Sequence, residues 1–265
     1  MPAKRVPPIR RFSFGAVGIS CVDMDLAVDA LFDFIAARLG GYIACTSSHG
    51  IVDSQHDARL RQILNGSLLA LPDGMPTVWV GRAKGMPVRR VTATEFLESV
   101  LRDPRARTIR HYFYGGSSET LERIIARVTA VLGNGPVAGW YSPPLRAAGT
   151  LEDPAVLDRM VATQPDVIWV GLGLPKQEYW MANHASYFPS AIHVGIGAAF
   201  DWFAGTQPRA PAWLQGLGLE WCHRVASEPG RLWPRYRRVV PRTLGIMLKE
   251  CVPARLRRSR STAAG

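Results

Sequence analysis

Asp166-Val-Ile-Trp-Val-Gly-Leu-Gly-Leu-Pro-Lys-Gln-Glu178 decides how the chain is read. An apolar run gives way to Gly171-Leu-Gly173, and Lys176, Gln177 and Glu178 then fall in the first turn of a helix, as at a strand-to-helix junction in an α/β sheet. Small residues and free backbone N–H groups at such a turn suit a phosphate or a flat ring, and Gln177 could bond a ligand's polar edge. Working outward, similar apolar runs occupy residues 14–19, 42–46, 67–71, 109–114, 136–140 and 191–196. Helical periodicity fills most of the intervals. Start signals at Asp23, Thr92 or Thr94, Ser117 or Ser118, and Asp153-Pro154 predict helices over 24–39, 95–101, 119–132 and 155–163. The expected fold is α/β, a mainly parallel, Rossmann-like sheet with flanking helices.

Further strings sit where an apolar run meets small or polar residues: Thr46-Ser-Ser-His-Gly50, Pro72-Asp-Gly74 and Gly195-Ile-Gly-Ala-Ala-Phe-Asp201. Ligands of open α/β sheets bind at the carboxyl ends of strands, so the strings predict one active site assembled from several loops. Asp73, held between Pro72 and Gly74, would project its carboxylate from a strand end, although Pro-Asp-Gly is also ordinary turn chemistry. Thr46, Ser47 and Ser48 offer hydroxyls and a helix N-terminus, or simply an N-cap. Gly195-Ile-Gly197 is not a nicotinamide fingerprint, because Phe200 stands at the third glycine position and no acidic residue follows at the expected distance. Asp23-Met-Asp25 imitates a metal-holding Asp-x-Asp, yet it opens a helix and is better read as capping. The six histidines show no HxxxH or HExxH spacing, and no GxSxG string occurs. Neither a metal nor a cofactor is expected.

At 265 residues, with 47% hydrophobic and 20% charged content, the chain reads as ordinary soluble globular protein with a full-sized core. Cys21, Cys45, Cys222 and Cys251 form no CxxC pair, which points to free thiols in the cytosol. Residues 1–11 are basic and proline-rich without the apolar core of a secretion signal, and no apolar run approaches the ~20 residues of a membrane span. Any membrane contact is therefore expected to be peripheral. The net charge of +11 is concentrated: residues 221–265 hold 11 Lys and Arg against 2 Asp and Glu, whereas residues 1–220 hold 21 against 19. The expected division is thus an α/β catalytic body over 1–220 and a basic amphipathic tail over 221–265. In the tail, cations from Arg224 to Arg260 alternate with Trp221, Trp233, Tyr236, Leu244, Ile246, Met247 and Leu248. That interleaving suits a helix in the interface of an anionic membrane. A solvated helical face and a basic arm meeting nucleic acid are the alternatives.

Taken together, Thr46, Pro72-Asp-Gly74, Arg90-Val-Thr92, Tyr112-Phe-Tyr-Gly-Gly116, Gly171 to Glu178, Gly195 to Asp201, Ala204-Gly-Thr206, Arg209-Ala-Pro211, Gly218-Leu-Glu-Trp221 and Arg224 resemble the WecG/TagA/CpsF glycosyltransferases. The order matches over roughly residues 14–240. The resemblance implies metal-independent, inverting transfer from a UDP-sugar to an undecaprenyl-diphosphate-linked sugar at the inner face of the membrane, in cell-surface polysaccharide assembly. Such transfer needs a base for the acceptor hydroxyl and a means of stabilising the departing diphosphate. Asp73 is the candidate base, grouped with Thr46 and Gln177. Backbone N–H groups and the tail arginines Arg224 and Arg231 would neutralise the diphosphate. Ser48, Gly74, Arg90, Gly115, Gly171, Gly173, Pro175, Glu178, Gly195, Gly197 and Asp201 complete the expected binding set. Relatives usually carry Thr-x-Asn where this chain has Thr46-Ser47-Ser48, and often Gly-x-Asp-Leu where it has Ala93-Thr94-Glu95-Phe96, so the donor sugar stays open. A basic nucleic-acid-binding protein and a nucleotide-dependent oxidoreductase are the readings from other classes. An enzyme of this type could form a homo-oligomer.

Overall fold

A computed structural model describes residues 8–133, 135–211, 213–214 and 218–251, with Arg231 described through its backbone alone. Arg255, Arg257, Arg258 and Arg260 of the basic tail lie outside the described residues. The chain opens with a hairpin, β1 (Arg11–Phe14) against β2 (Val17–Ser20), where a single strand over 14–19 was expected. Gly15 causes the difference. Its φ of +58° turns the chain between Phe14 and Val17, which pair across the turn.

The rest alternates strand and helix: α1 (Met24–Ala36), β3 (Gly41–Thr46), α2 (Ser48–Ser54), α3 (Ala58–Gly66), β4 (Leu69–Pro72), α4 (Met75–Ala83), α5 (Ala93–Arg102), β5 (His111–Tyr114), α6 (Ser118–Leu132), β6 (Val137–Tyr141), α7 (Pro154–Ala162), β7 (Val167–Val170), α8 (Lys176–His184), β8 (Ile192–Gly195) and α9 (Ala199–Ala204). Strands β3 to β8 form one parallel sheet in the order β4-β3-β8-β7-β5-β6. The expected capping residues act as such. Asp23, Thr92, Ser117 and Asp153 each accept a backbone N–H of the first helical turn, at Leu26, Glu95, Thr120 and Ala155.

Alternation along each strand divides the core. Ile43, Cys45, Leu69, Leu71, Phe113, Val167 and Trp169 face α1, α5, α6 and α9. On the opposite face Tyr112, Tyr114, Ile168 and Val170 pack with α7 and α8, while Ala44 and Ala70 meet the hairpin, α2 and α3. Because β8, the last strand, is inserted beside β3, the first of the sheet, the loops leaving β3, β4 and β8 converge at one end.

Two further helices, α10 (Glu220–Ser227) and α11 (Pro229–Cys251), cross that end. Leu232, Val239 and Thr243 recur on the buried side of α11, whereas Trp233, Arg237, Leu244 and Leu248 are exposed. Ion pairs hold α11 down at two places. Arg238 reaches Asp53 of α2 at 2.8 Å, and Glu250 pairs with Lys84 at 2.5 Å while accepting the Gly15 N–H at 3.2 Å.

At the sheet end the backbone comes closest at Gly171. A Cβ there would sit 2.1 Å from Cδ2 of Phe200, a ring buried in the core. Gly171→Ala is expected to destabilise the fold by about 1–3 kcal/mol, the usual cost of overpacking, seen as a lower urea midpoint with an unchanged m-value. A midpoint equal to wild type would show that Phe200 can move aside.

Candidate functional site

The converging loops enclose a cavity of about 470 Å³. Its floor is made at the ends of three strands: Cys45 from β3, Asp73 and Gly74 after β4, and Gly195 of β8 with Ile196 and Gly197 after it. Ser48 and His49 on α2, Gly173, and Gln177 on α8 form one wall. Arg90 and Thr92 ahead of α5 stand opposite with Arg209. Helices α10 and α11 close the top with Arg224, Arg235 and Tyr236. An apolar lip made of Met75, Trp79, Val240, Leu244 and Met247 runs along the seam between α4 and α11.

Asp73 owes its position to the turn that follows β4. Its N–H donates to Leu71 O at 2.9 Å, and Gly74, at φ +134°, swings the chain into α4. Removal from bulk water pushes the Asp73 pKa up to about 7, and nearby Glu220 adds to the rise while Arg90 and Arg224 oppose it. A carboxylate poised near neutrality can accept a proton from a bound hydroxyl.

The cations around it are held by acids rather than left loose. Arg209 lies 3.1 Å from Glu95 and 3.8 Å from Glu220, and Arg90 lies 3.8 Å and 3.9 Å from the same two carboxylates. Arg224 stacks on Trp202, its guanidinium carbon 5.0 Å from the ring centroid. An anion entering the cavity would meet guanidinium groups already oriented across it.

Of the residues expected from sequence, Asp73, Gln177, Ser48, Gly74, Arg90, Gly173, Gly195, Gly197 and Arg224 line this cavity together. The others whose side chains are described lie behind its walls. Thr46 is buried and donates its hydroxyl to Ala44 O at 3.3 Å. Gly115, at φ +103°, lies against the Gly171 carbonyl, and Gly171 makes room for Phe200. Pro175 stands at the start of α8, and Glu178 is buried beneath Gln177. Asp201 on α9 accepts a hydroxyl hydrogen bond from Thr120 at 3.4 Å. The Arg231 side chain lies outside the described residues. Arg209, Trp202, Arg235 and Tyr236 line the cavity without having been singled out as site residues. The Pro208-Arg-Ala-Pro211 string carried a signal for Arg209, but nothing in the tail told its cavity-facing arginines from its exposed ones.

The sequence pattern of the glycosyl transferase WecG/TagA/CpsF family matches residues 12–257. The chain belongs to this family. It is a glycosyltransferase. Among its relatives is the N-acetylglucosaminyldiphosphoundecaprenol N-acetyl-beta-D-mannosaminyltransferase of Bacillus spizizenii, 29% identical over 82% of each chain. The protein of the same description from Bacillus subtilis is 26% identical over 82% of this chain and 83% of its own. The matched region takes in the whole cavity, including the part of α11 that closes it. Among the described residues no helix is long and apolar enough to cross a membrane, and no three His, Cys, Asp or Glu side chains are grouped to hold a metal ion.

The raised pKa of Asp73 also has a consequence for stability. In an unfolded chain an Asp ionises near ~3.9, and in the fold this one does so at about 7. Its contribution to stability is therefore fully present below about 4 and is lost as the pH rises through 7. Asp73→Asn removes that loss. Relative to wild type, the variant should gain on the order of 2 kcal/mol between pH 4 and pH 8, after discounting for the cavity's access to solvent. Urea denaturation at the two pH values measures it, and a difference that does not change with pH would contradict the assignment.

Proposed function

We propose that the protein transfers a sugar from a UDP-sugar to a polyprenyl-diphosphate-linked sugar, with inversion, in the assembly of a cell-surface glycan. The observation that carries this reading is a single carboxyl group with a pKa near 7 set among arginines in one cavity. A leaving nucleoside diphosphate needs cations or N–H donors, and an attacking sugar hydroxyl needs one base. Asp73 is the proposed base. Arg90, Arg209 and Arg224 are the proposed diphosphate partners, supplying charge stabilisation without a metal. The Bacillus relatives named above, whose acceptor is an N-acetylglucosaminyl diphosphoundecaprenol, support the lipid-linked acceptor. The apolar lip between α4 and α11 would receive the first isoprene units, placing the acceptor sugar against Asp73 while the chain leaves toward a membrane.

In this reading residues 1–220 form the catalytic body, and the tail from 221 onward both closes the site and rests on an anionic leaflet at the inner face of the cell membrane. The exposed stripe of α11 supports that role. Trp233 is 56% and Leu248 66% exposed, with Arg237 exposed on the same side of the helix.

Two measurements test the proposal. UDP-sugars should raise the melting temperature of the wild type and of Asp73→Asn alike, since ligand bound to the native state stabilises it. Transfer to a water-soluble polyprenyl-diphosphate analogue should fall at least ~10²-fold in that variant, and should persist in EDTA. Near wild-type turnover would remove Asp73 from the chemistry, and activity lost to EDTA and restored by Mg²⁺ would reinstate a metal.

Trp233→Glu with Leu248→Glu should weaken co-sedimentation with anionic vesicles at least ~10-fold, because the buried apolar area is lost and like charge is added. Turnover on the water-soluble analogue should be retained. Unchanged vesicle binding would refute the membrane role of the tail.

A further inference from the structure

Glu178 is fully buried, does not reach the cavity, and has no part in the chemistry above. Its Oε1 accepts a hydrogen bond from Nε2 of Gln177 at 3.0 Å. Gln177 is itself only 3% exposed, and its Oε1 has no hydrogen-bond partner. The amide fits against the end of β8 because Gly195 and Gly197 present no side chains to it. A Cβ at Gly195 would fall 2.9 Å from Gln177 Nε2, and one at Gly197 3.2 Å from Gln177 Oε1. Both glycines line the cavity, so the nitrogen end, beside Gly195, is taken up by Glu178, and the oxygen end, beside Gly197, is left without a partner.

Burial pushes the Glu178 pKa up to about 7, and above that pH its ionised carboxylate can only accept hydrogen bonds, so it fixes which end of a neighbouring amide faces it. The unpartnered Gln177 oxygen is a buried acceptor that gains most from a ligand bringing its own hydrogen. We infer that Glu178 is a positioning residue that locks the Gln177 amide with its oxygen toward the cavity, making that wall a receptor for an N–H or O–H group of the bound nucleotide sugar. This rests on the proposed use of a UDP-sugar. The hydrogen could come from the nucleotide or from the sugar, and the probes below separate the two.

The test reverses the pair in the full-length protein. Gln177→Glu sets two carboxyl groups against each other and should weaken binding about tenfold by calorimetry. Adding Glu178→Gln restores one amide and one carboxylate. The amide now donates outward from position 178, and a carboxylate oxygen at 177 still faces the cavity as an acceptor. Affinity should return to within about threefold of wild type. If Gln177→Glu does not fold, the double variant compared directly with wild type decides, with its melting temperature measured in parallel.

The probes are UDP, UDP-glucose and UDP-N-acetylglucosamine. Recovery with UDP itself places the donated hydrogen on the nucleotide, and recovery confined to the acetamido sugar places it on the sugar's amide; both support the inference. A double variant that melts like wild type but binds no better than Gln177→Glu overturns it, because the wall then needs a donor or Glu178 serves packing alone. Wild-type protein that binds none of the three probes would instead refute the proposed function, a separate result.

Discussion

A carboxyl group withheld from water at the end of β4 is the constraint around which the rest of the site is arranged. Asp73 could sit in open solvent on its Pro-Asp-Gly turn and ionise as an ordinary surface acid. It does not, because α10 and α11 cross the ends of the strands and close the space above it. Desolvation raises its pKa to about 7, and that cost is borne only where other interactions hold the roof in place. Those interactions are the buried face of α11, its contact with Asp53 through Arg238, and the pairing of Glu250 with Lys84 and the Gly15 N–H. The first hairpin and the last helix of the described chain thus meet, and the electrostatics of the cavity depend on their meeting.

The arrangement of arginines answers the same constraint. Several guanidinium groups beside a half-ionised carboxyl would repel one another in an empty cavity, and Glu95 and Glu220 hold Arg90 and Arg209 at the rim. Glu220 has a second effect, since its negative charge helps to keep Asp73 protonated. The first turn of α10 is therefore electrostatically coupled to the floor, so a movement of that helix would change both the paired arginines and the acid. In the proposed reaction, this ties the state of the tail to the state of the site through charge as well as through shape.

Much of the fold was legible because its signals are local. The strands of the parallel sheet are short apolar runs, and Asp23, Thr92, Ser117 and Asp153 cap helices with the side chains that usually do so. Local reading failed at the hairpin, where one apolar run conceals a Gly15 turn. It also passed over α3 and α4, the latter a helix with Pro76 in its first turn and Gly81 inside it. The glycines show the same limit in the site. Gly173, Gly195 and Gly197 line the cavity, whereas Gly115 and Gly171 allow backbone and a Phe200 ring to approach from behind it. A motif places all of them at strand ends but does not show which side of the backbone is crowded.

The sequence by itself determined the parallel α/β class, the convergence of Asp73, Gln177 and the Gly195 loop, the family, and the basic character of the tail. Each follows from periodicity, capping, motif order or charge within short stretches of chain. The tertiary structure alone decided that the tail folds back over the strand ends, that Arg209, Arg235 and Tyr236 join the cavity while Thr46 and Glu178 lie behind it, and that the Asp73 carboxyl is shifted toward neutrality. These are properties of distance and solvent exclusion between residues far apart in sequence. Hydrophobic burial of Leu232 and Val239 against the body brings those residues together, and no local pattern encodes which of the tail's alternating arginines will then face inward.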